Sequence, residues 1–190
     1  RQECSGDDDT QPDPVEEPEP RNIALGLLAS AKETPVKGNL GFLTDDKNST
    51  VATFKGSDWP WANDPPAWVS FELDKLQRLS EVVVRWRDSS STSDKSYGKV
   101  YKILVSAMSD PGAPSVDNGY WTEVADITAG KGSLERFAVD GTQSVRHVAI
   151  WMIQDGAWNL DESFALAEVE IWDAPEKKKT QPTEVKVCGG

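Results

Sequence analysis

From residue 67 to residue 172 the chain repeatedly alternates apolar and polar side chains over short runs, the period of a half-buried β-strand. In AWVSFEL, Val69, Phe71 and Leu73 share one face, and Ser70 and Glu72 the other. SEVVVRWR sets Val82, Val84 and Trp86 against Val83, Arg85 and Arg87. YKILVSA, RHVAIWMI and ALAEVEIW are further runs rich in β-branched and aromatic residues. Between them lie NDPP, RDSSSTSDKS, SDPGAPSVDNG, TAGKG and DGTQS, all of turn chemistry. Only IALGLLASAKE argues for a helix, and its leucines and alanines suit a short strand equally well. Many short strands parted by long polar loops specify an all-β chain folded as an antiparallel β-sandwich.

A length of 190 residues suits one domain with tails, and supplies enough apolar residues for a core without disulfides. The formal net charge of -12 argues against nucleic acid and against anionic membrane surfaces. No apolar run is long enough to span a bilayer, and no signal peptide opens the sequence; an export signal is expected to have been removed or to lie outside it. Residues 1–21 are acidic and proline-rich and read as an extended linker. Residues 174–190 read as a second polar tail, leaving 22–173 as the folded domain. Linkers on both sides suggest a module of a longer secreted or cell-surface protein, able to meet neighbouring domains or subunits through its tails. Cys4 and Cys188 stand near the two ends, with no zinc-like spacing to other ligands. Three readings are open to them: a disulfide clasping the tails, two free thiols, or lipidation of Cys4, against which Arg1, Gln2 and Glu3 precede it.

Two features call for more than a fold. The stretch GFLTDDKNSTVATF, residues 41–54, crowds oxygen-bearing side chains into a segment with no secondary-structure period. It is either a solvated turn or a set of ligands for a hard cation. Trp59, Trp61 and Trp158 sit in polar loops, whereas Trp68, Trp86, Trp121, Trp151 and Trp172 fall in or beside strands, where packing accounts for them. An indole in a polar loop needs cover or a ligand. Either these rings seal the sandwich edge, or they stack on the C–H face of a pyranose while polar neighbours bind its hydroxyls. Enzyme chemistry finds no support: the one histidine, His147, falls inside a strand, and neither a nucleophile elbow nor a phosphate-cradling loop occurs.

The order NIALG, LTDDKNST, AWVSFELDK, SEVVVRWR, YKILVSA, GYWTEV, VRHVAI, FALAEVEIW resembles the coagulation factor 5/8 type C (discoidin) domain. Within that group it is most similar to the bacterial family 32-type carbohydrate-binding modules, over Asn22 to about Asp173. The resemblance implies an eight-stranded jelly-roll sandwich of the galactose-binding-like type, holding one structural Ca2+. Its ligands would be Asp45, Asp46, Thr50, the carbonyl of Ala167 and Glu168, with Asn48 nearby. Calcium suits such a set, since it takes six to eight hard oxygens in flexible geometry. The family has glycine where Asp46 stands, so Asp46 would have to adopt that residue's backbone angles. Asn48-Ser49-Thr50 also forms a glycosylation sequon, taken as accidental because a sugar there would collide with a closed metal loop. For sugar, the resemblance points to Arg87 and Asp88 at a strand end; Trp59, Trp61, Trp158 and Asn159 complete the candidate set, with Asp155 beside them. The histidine that many members use for sugar hydroxyls has no counterpart. The expected function is a non-catalytic module that binds a glycan or glycoprotein; the alternative is a structural or protein-interaction domain of a surface assembly whose sugar site is lost.

Overall fold

The runs AWVSFEL and SEVVVRWR are halves of a single strand. The computed structural model, which describes residues 18–56, 67–87, 96–155 and 163–174, carries it unbroken from Ala67 to Trp86. The polar stretch between the halves stays extended because it still has a partner: Gln77 lies opposite Val145 and Arg78 opposite Ser144. In chain order the strands are β1 (Ala29–Ala31), β2 (Ala52–Lys55), β3 (Ala67–Trp86), β4 (Gly98–Ser106), β5 (Thr122–Ile127), β6 (Leu134–Ala138), β7 (Ser144–Asp155) and β8 (Ser163–Asp173). A 3-10 helix, Leu40–Thr44, precedes β2. IALGLLASAKE contributes the short strand β1 and no helix.

All pairings are antiparallel, and β3 serves both layers of the sandwich. Its first half, with β1 on one side and β7, β4 and β5 on the other, builds one layer. Its second half lies between β8 and β6, and β2 completes that layer beyond β8. The pairing slips between Glu72 and Gln77 and again between Leu79 and Glu81, where the strand passes from one layer to the other. This is the expected eight-stranded jelly-roll sandwich.

Inward positions of both halves of β3 supply Val69, Phe71, Leu73, Val82, Val84 and Trp86 to one core, which Ile103, Val148, Ile150, Phe164, Val169 and Ile171 join. Each such side chain contributes roughly 1.5–3 kcal/mol of hydrophobic stabilisation. A second apolar cluster forms on the outer face of the β4–β7 pair. There Leu104, Ala149, Trp151 and Ile153 are covered by Val116 and Trp121 of the β4–β5 connection. The Ser106 hydroxyl donates to the Tyr120 carbonyl at 2.6 Å and so ties that connection at its base. His147 lies beneath it on β7, its Nε2 3.4 Å from the Ser109 carbonyl and its ring edge-on to Trp121.

The chain enters and leaves the sandwich at one corner. Arg21 and Ile23 pair with the end of β8, Ile23 N donating to Ile171 O at 2.7 Å and Asp173 N to Arg21 O at 3.0 Å. Asn22 Oδ1 accepts from both Ala24 N and Ile171 N. Ala174 N then donates to Arg78 O, at the point where β3 changes layer. No helix among the described residues is long and apolar enough to cross a membrane.

Candidate functional site

Two regions bear on function. The first is the segment that follows the 3-10 helix, whose Leu43 and Thr44 are buried. The Thr44 hydroxyl donates to Leu27 O, and Gly26 N donates to Thr44 O, so the turn after Asn22 anchors the helix from behind. Asp46 then takes φ 58°, the left-handed angle that its glycine-like position requires, and among the described residues no other non-glycine does so. That angle turns its backbone N–H toward Glu168, whose Oε1 accepts it at 3.4 Å.

Glu168 reaches this position through a slip in β8. Arg85 lies opposite Glu168 but Trp86 opposite Leu166, which leaves Ala167 with no ladder partner in β3 or β2. Leu166 and Val169, three apart, both face the core, so the alternation shifts by one between them. Glu168 is consequently buried to 2% exposure while its second oxygen, Oε2, finds no partner. Burial pushes its pKa up to about 7; the Asp46 N–H bond pulls the other way, and the carboxylates of Asp45, Asp46 and Glu170 add to the rise.

Across from it, Thr50 Oγ1 has one proton to give and three oxygens within 3.0 Å: Asp45 Oδ1 at 2.9 Å, Asp45 Oδ2 at 3.0 Å and Lys47 O at 2.8 Å. Asp45 Oδ1 also accepts from Lys47 N. Of the five ligand positions expected, Asp46 and Glu168 thus meet directly, and Asp45 and Thr50 meet each other. Ala167 flanks Glu168 on the irregular stretch of β8. Among the described residues no three carboxylate, thiolate or imidazole side chains converge. A cation here would have to draw on hydroxyl and carbonyl oxygens as well, which suits calcium and does not suit zinc. The donor chemistry, the orphaned Glu168 oxygen and the over-supplied Thr50 hydroxyl fit a hard divalent cation.

The second region is the end of the sandwich opposite the corner where Arg21 pairs with Asp173. Both ends of β3 return to it: Ala67 lies opposite Met152, itself opposite Tyr101, and the rings of Trp86 and Tyr101 meet edge-on at 5.1 Å. The residues flanking 57–66, 88–95 and 156–162 are bonded to one another here. Lys55 pairs with Ser163, and Gly98 with Asp155. Arg87 N donates to Ala165 O at 2.8 Å, Ala165 N donates to Ser96 O at 2.7 Å, and the Ser96 and Ser163 hydroxyls lie 3.2 Å apart. The β5–β6 connection joins them through Gly130 N to Lys99 O and Trp86 N to Ser133 O. Beneath this pole the Tyr101 hydroxyl donates to Glu135 Oε2 at 2.8 Å; burial, with that bond, raises the phenol's pKa far above its ordinary value.

Of the sugar-site candidates, Arg87 is exposed at this pole. Trp59, Trp61, Asp88, Trp158 and Asn159 lie outside the described residues, as do Cys4 and Cys188; Asp155 is described in its backbone only. Trp86, Trp121 and Trp151 are buried, and Trp68 and Trp172 half-buried.

A jelly-roll sandwich with an oxygen-rich loop against its last strand, and its long connections anchored at one pole, defines the class of galactose-binding-like domains. Residues 42–150 match the F5/8 type C family model described as a NedA-like, galactose-binding domain, and the chain belongs to that family. Solved structures agree on the fold. Chitosan-binding module 1 of a chitosanase/glucanase from Paenibacillus sp. IK-5 superposes with a TM-score of 0.60 at 20% identity, covering 80% of this chain and 98% of that one. Module 2 of the same enzyme, in complex with chitotriose, gives 0.60 at 20% over 79% and 98%. The family 32 carbohydrate-binding module of NanJ from C. perfringens, in complex with galactose, gives 0.57 at 18% over 81% and 99%. No curated protein sequence matches the chain.

Proposed function

We propose that this chain is a non-catalytic carbohydrate-binding module of a secreted or cell-surface protein, which holds its parent near a glycan. The observation that carries this reading is the pole: three segments bearing Trp59, Trp61, Asp88, Trp158 and Asn159 depart from anchors that are bonded together beside Arg87. Indole rings and polar side chains in the segments that leave these anchors are the ingredients of sugar recognition, ring stacking plus hydroxyl hydrogen bonds. Membership of a galactose-binding family, and structural neighbours solved with galactose and chitotriose, support the same reading. One shallow site gives modest affinity, which repetition in the parent would raise.

A glycan array followed by calorimetry tests it, using the wild type, Trp59→Ala and Trp158→Ala. Binding lost or weakened at least tenfold in either variant supports the loop site. Binding retained in both removes those rings from it, and no binding of the wild type to any glycan favours an adhesion or assembly domain instead.

The same reading includes a structural calcium ion held by Asp45, Asp46, Thr50, the Ala167 carbonyl and Glu168. When bound it would supply positive charge to Glu168 and fix the loop against β8. Added at a thousandfold excess over its dissociation constant, calcium is expected to stabilise the fold by about 4 kcal/mol. A melting midpoint equal in calcium and in chelator counts against the site.

A further inference from the structure

Tyr97 stands at the binding pole, directly after Ser96, whose carbonyl takes the Ala165 N–H and so joins the 88–95 and 156–162 anchors. Its ring is half-buried and packs on the edge of the core. One side is closed by a residue that has no side chain. A Cβ added at Gly132 would lie 2.5 Å from ring atoms Cγ and Cδ1 and 2.9 Å from Cδ2, so the ring rests flat on the glycine backbone. Gly132 also takes φ +70°, which favours glycine independently of the space. Among the described residues none hydrogen-bonds the Tyr97 hydroxyl, whereas the buried Tyr101 gives its own to Glu135. The next residue, Gly98, leaves room for the Trp86 ring, so the backbone beside Tyr97 is closely packed there.

A ring clamped on one side, with an uncommitted hydroxyl, has lost its conformational freedom in advance and keeps an amphipathic surface for a partner. We infer that Tyr97, braced by Gly132, is a sugar-contacting platform of this module, stacking on the C–H face of one pyranose ring of the bound glycan. The inference rests on the carbohydrate-binding reading above and adds to it a binding residue outside the tryptophan loops. Arg87 and the Tyr97 hydroxyl supply polar groups at the same pole.

The test uses the whole chain and the glycan giving the strongest signal on an array of galactose-, fucose- and glucosamine-terminated sugars. Tyr97→Ala is expected to weaken binding at least tenfold and Tyr97→Phe by threefold or less, since the ring and its brace remain. A second measurement needs no variant: nitration of tyrosines with tetranitromethane, read by peptide mass spectrometry with and without saturating glycan. The chain has three tyrosines, which makes the footprint self-controlled. Tyr101 is buried and should stay unmodified, while Tyr120, 53% exposed at the opposite end, should react equally with and without sugar. Tyr97 alone should be protected, by fivefold or more in rate. Unchanged nitration of Tyr97, or affinity kept within twofold in a folded Tyr97→Ala protein, overturns the platform and leaves the carbohydrate reading standing. Failure of the wild type to bind any glycan removes both.

Discussion

A carboxylate with 2% exposure beside two aspartates must either keep its proton or be matched by positive charge, and Glu168 is in that position. Without metal its folded-state pKa is about 7, against 4.5 for the unfolded group. Between those values the unfolded chain has released the proton and the native protein has not. Metal-free stability should therefore fall as pH rises from about 4.5 to about 7, and stay at the lower level above that. Melting curves in chelator should show this slope in wild type and a flatter one in Glu168→Gln, and calcium should remove it from wild type. Equal slopes in chelator would mean that the carboxylate is already ionised. A second residue-scale prediction concerns space alone. A Cβ at Gly98 would overlap the Trp86 ring and press on Tyr101, so Gly98→Ala should cost about 1–3 kcal/mol in denaturant titration.

At the scale of elements, Asn22 decides how the chain joins the sandwich. Its Oδ1 accepts both Ala24 N and Ile171 N, at 3.0 and 3.1 Å. Asn22→Ala leaves those donors without it and is expected to cost about 1–3 kcal/mol, with faster amide exchange at Ile171 and none at Val84. The β4–β5 connection is held differently, by Trp121 on the outer cluster; Trp121→Ala should cost about 3–5 kcal/mol and open residues 107–120 to protease.

These elements also mark what the sequence made legible. β3, β4, β7 and β8 stood out because a strand with one buried face must alternate, and the breakers around them are strong. β6 escaped notice because it lies at a sheet edge with the half-exposed pattern of LERFA, and β1, only three residues long, was left open between a helix and a short strand. The continuity of β3 was hidden because Asp74, Lys75 and Leu76 are exposed at the change of layer and carry no alternation. The oxygen-rich loop was visible as composition, and its approach to Glu168 followed from resemblance, since no local spacing links residues so far apart. The Tyr97–Gly132 contact left no trace, because a glycine that supports a ring looks like any turn glycine.

At the scale of the whole domain, segments 57–66, 88–95 and 156–162 are anchored at one end, and residues 21 and 174 sit at the other, beside Arg78. A bulky fusion made directly at residue 20 or at residue 174 should therefore leave glycan affinity unchanged within about twofold, as calorimetry on the fused and unfused chains would report. With a net charge of -12 and a neutral sugar as partner, affinity should also vary little between 50 and 500 mM salt, whereas a polyanionic glycan would bind better as salt screens the repulsion.

The pairing of Arg21 with Asp173 has an architectural outcome. Because the incoming and outgoing strands leave side by side, the whole body behaves as a bead hung from a single point. It can be threaded into a hairpin of a host, or strung in series, without its two attachment points having to be drawn together.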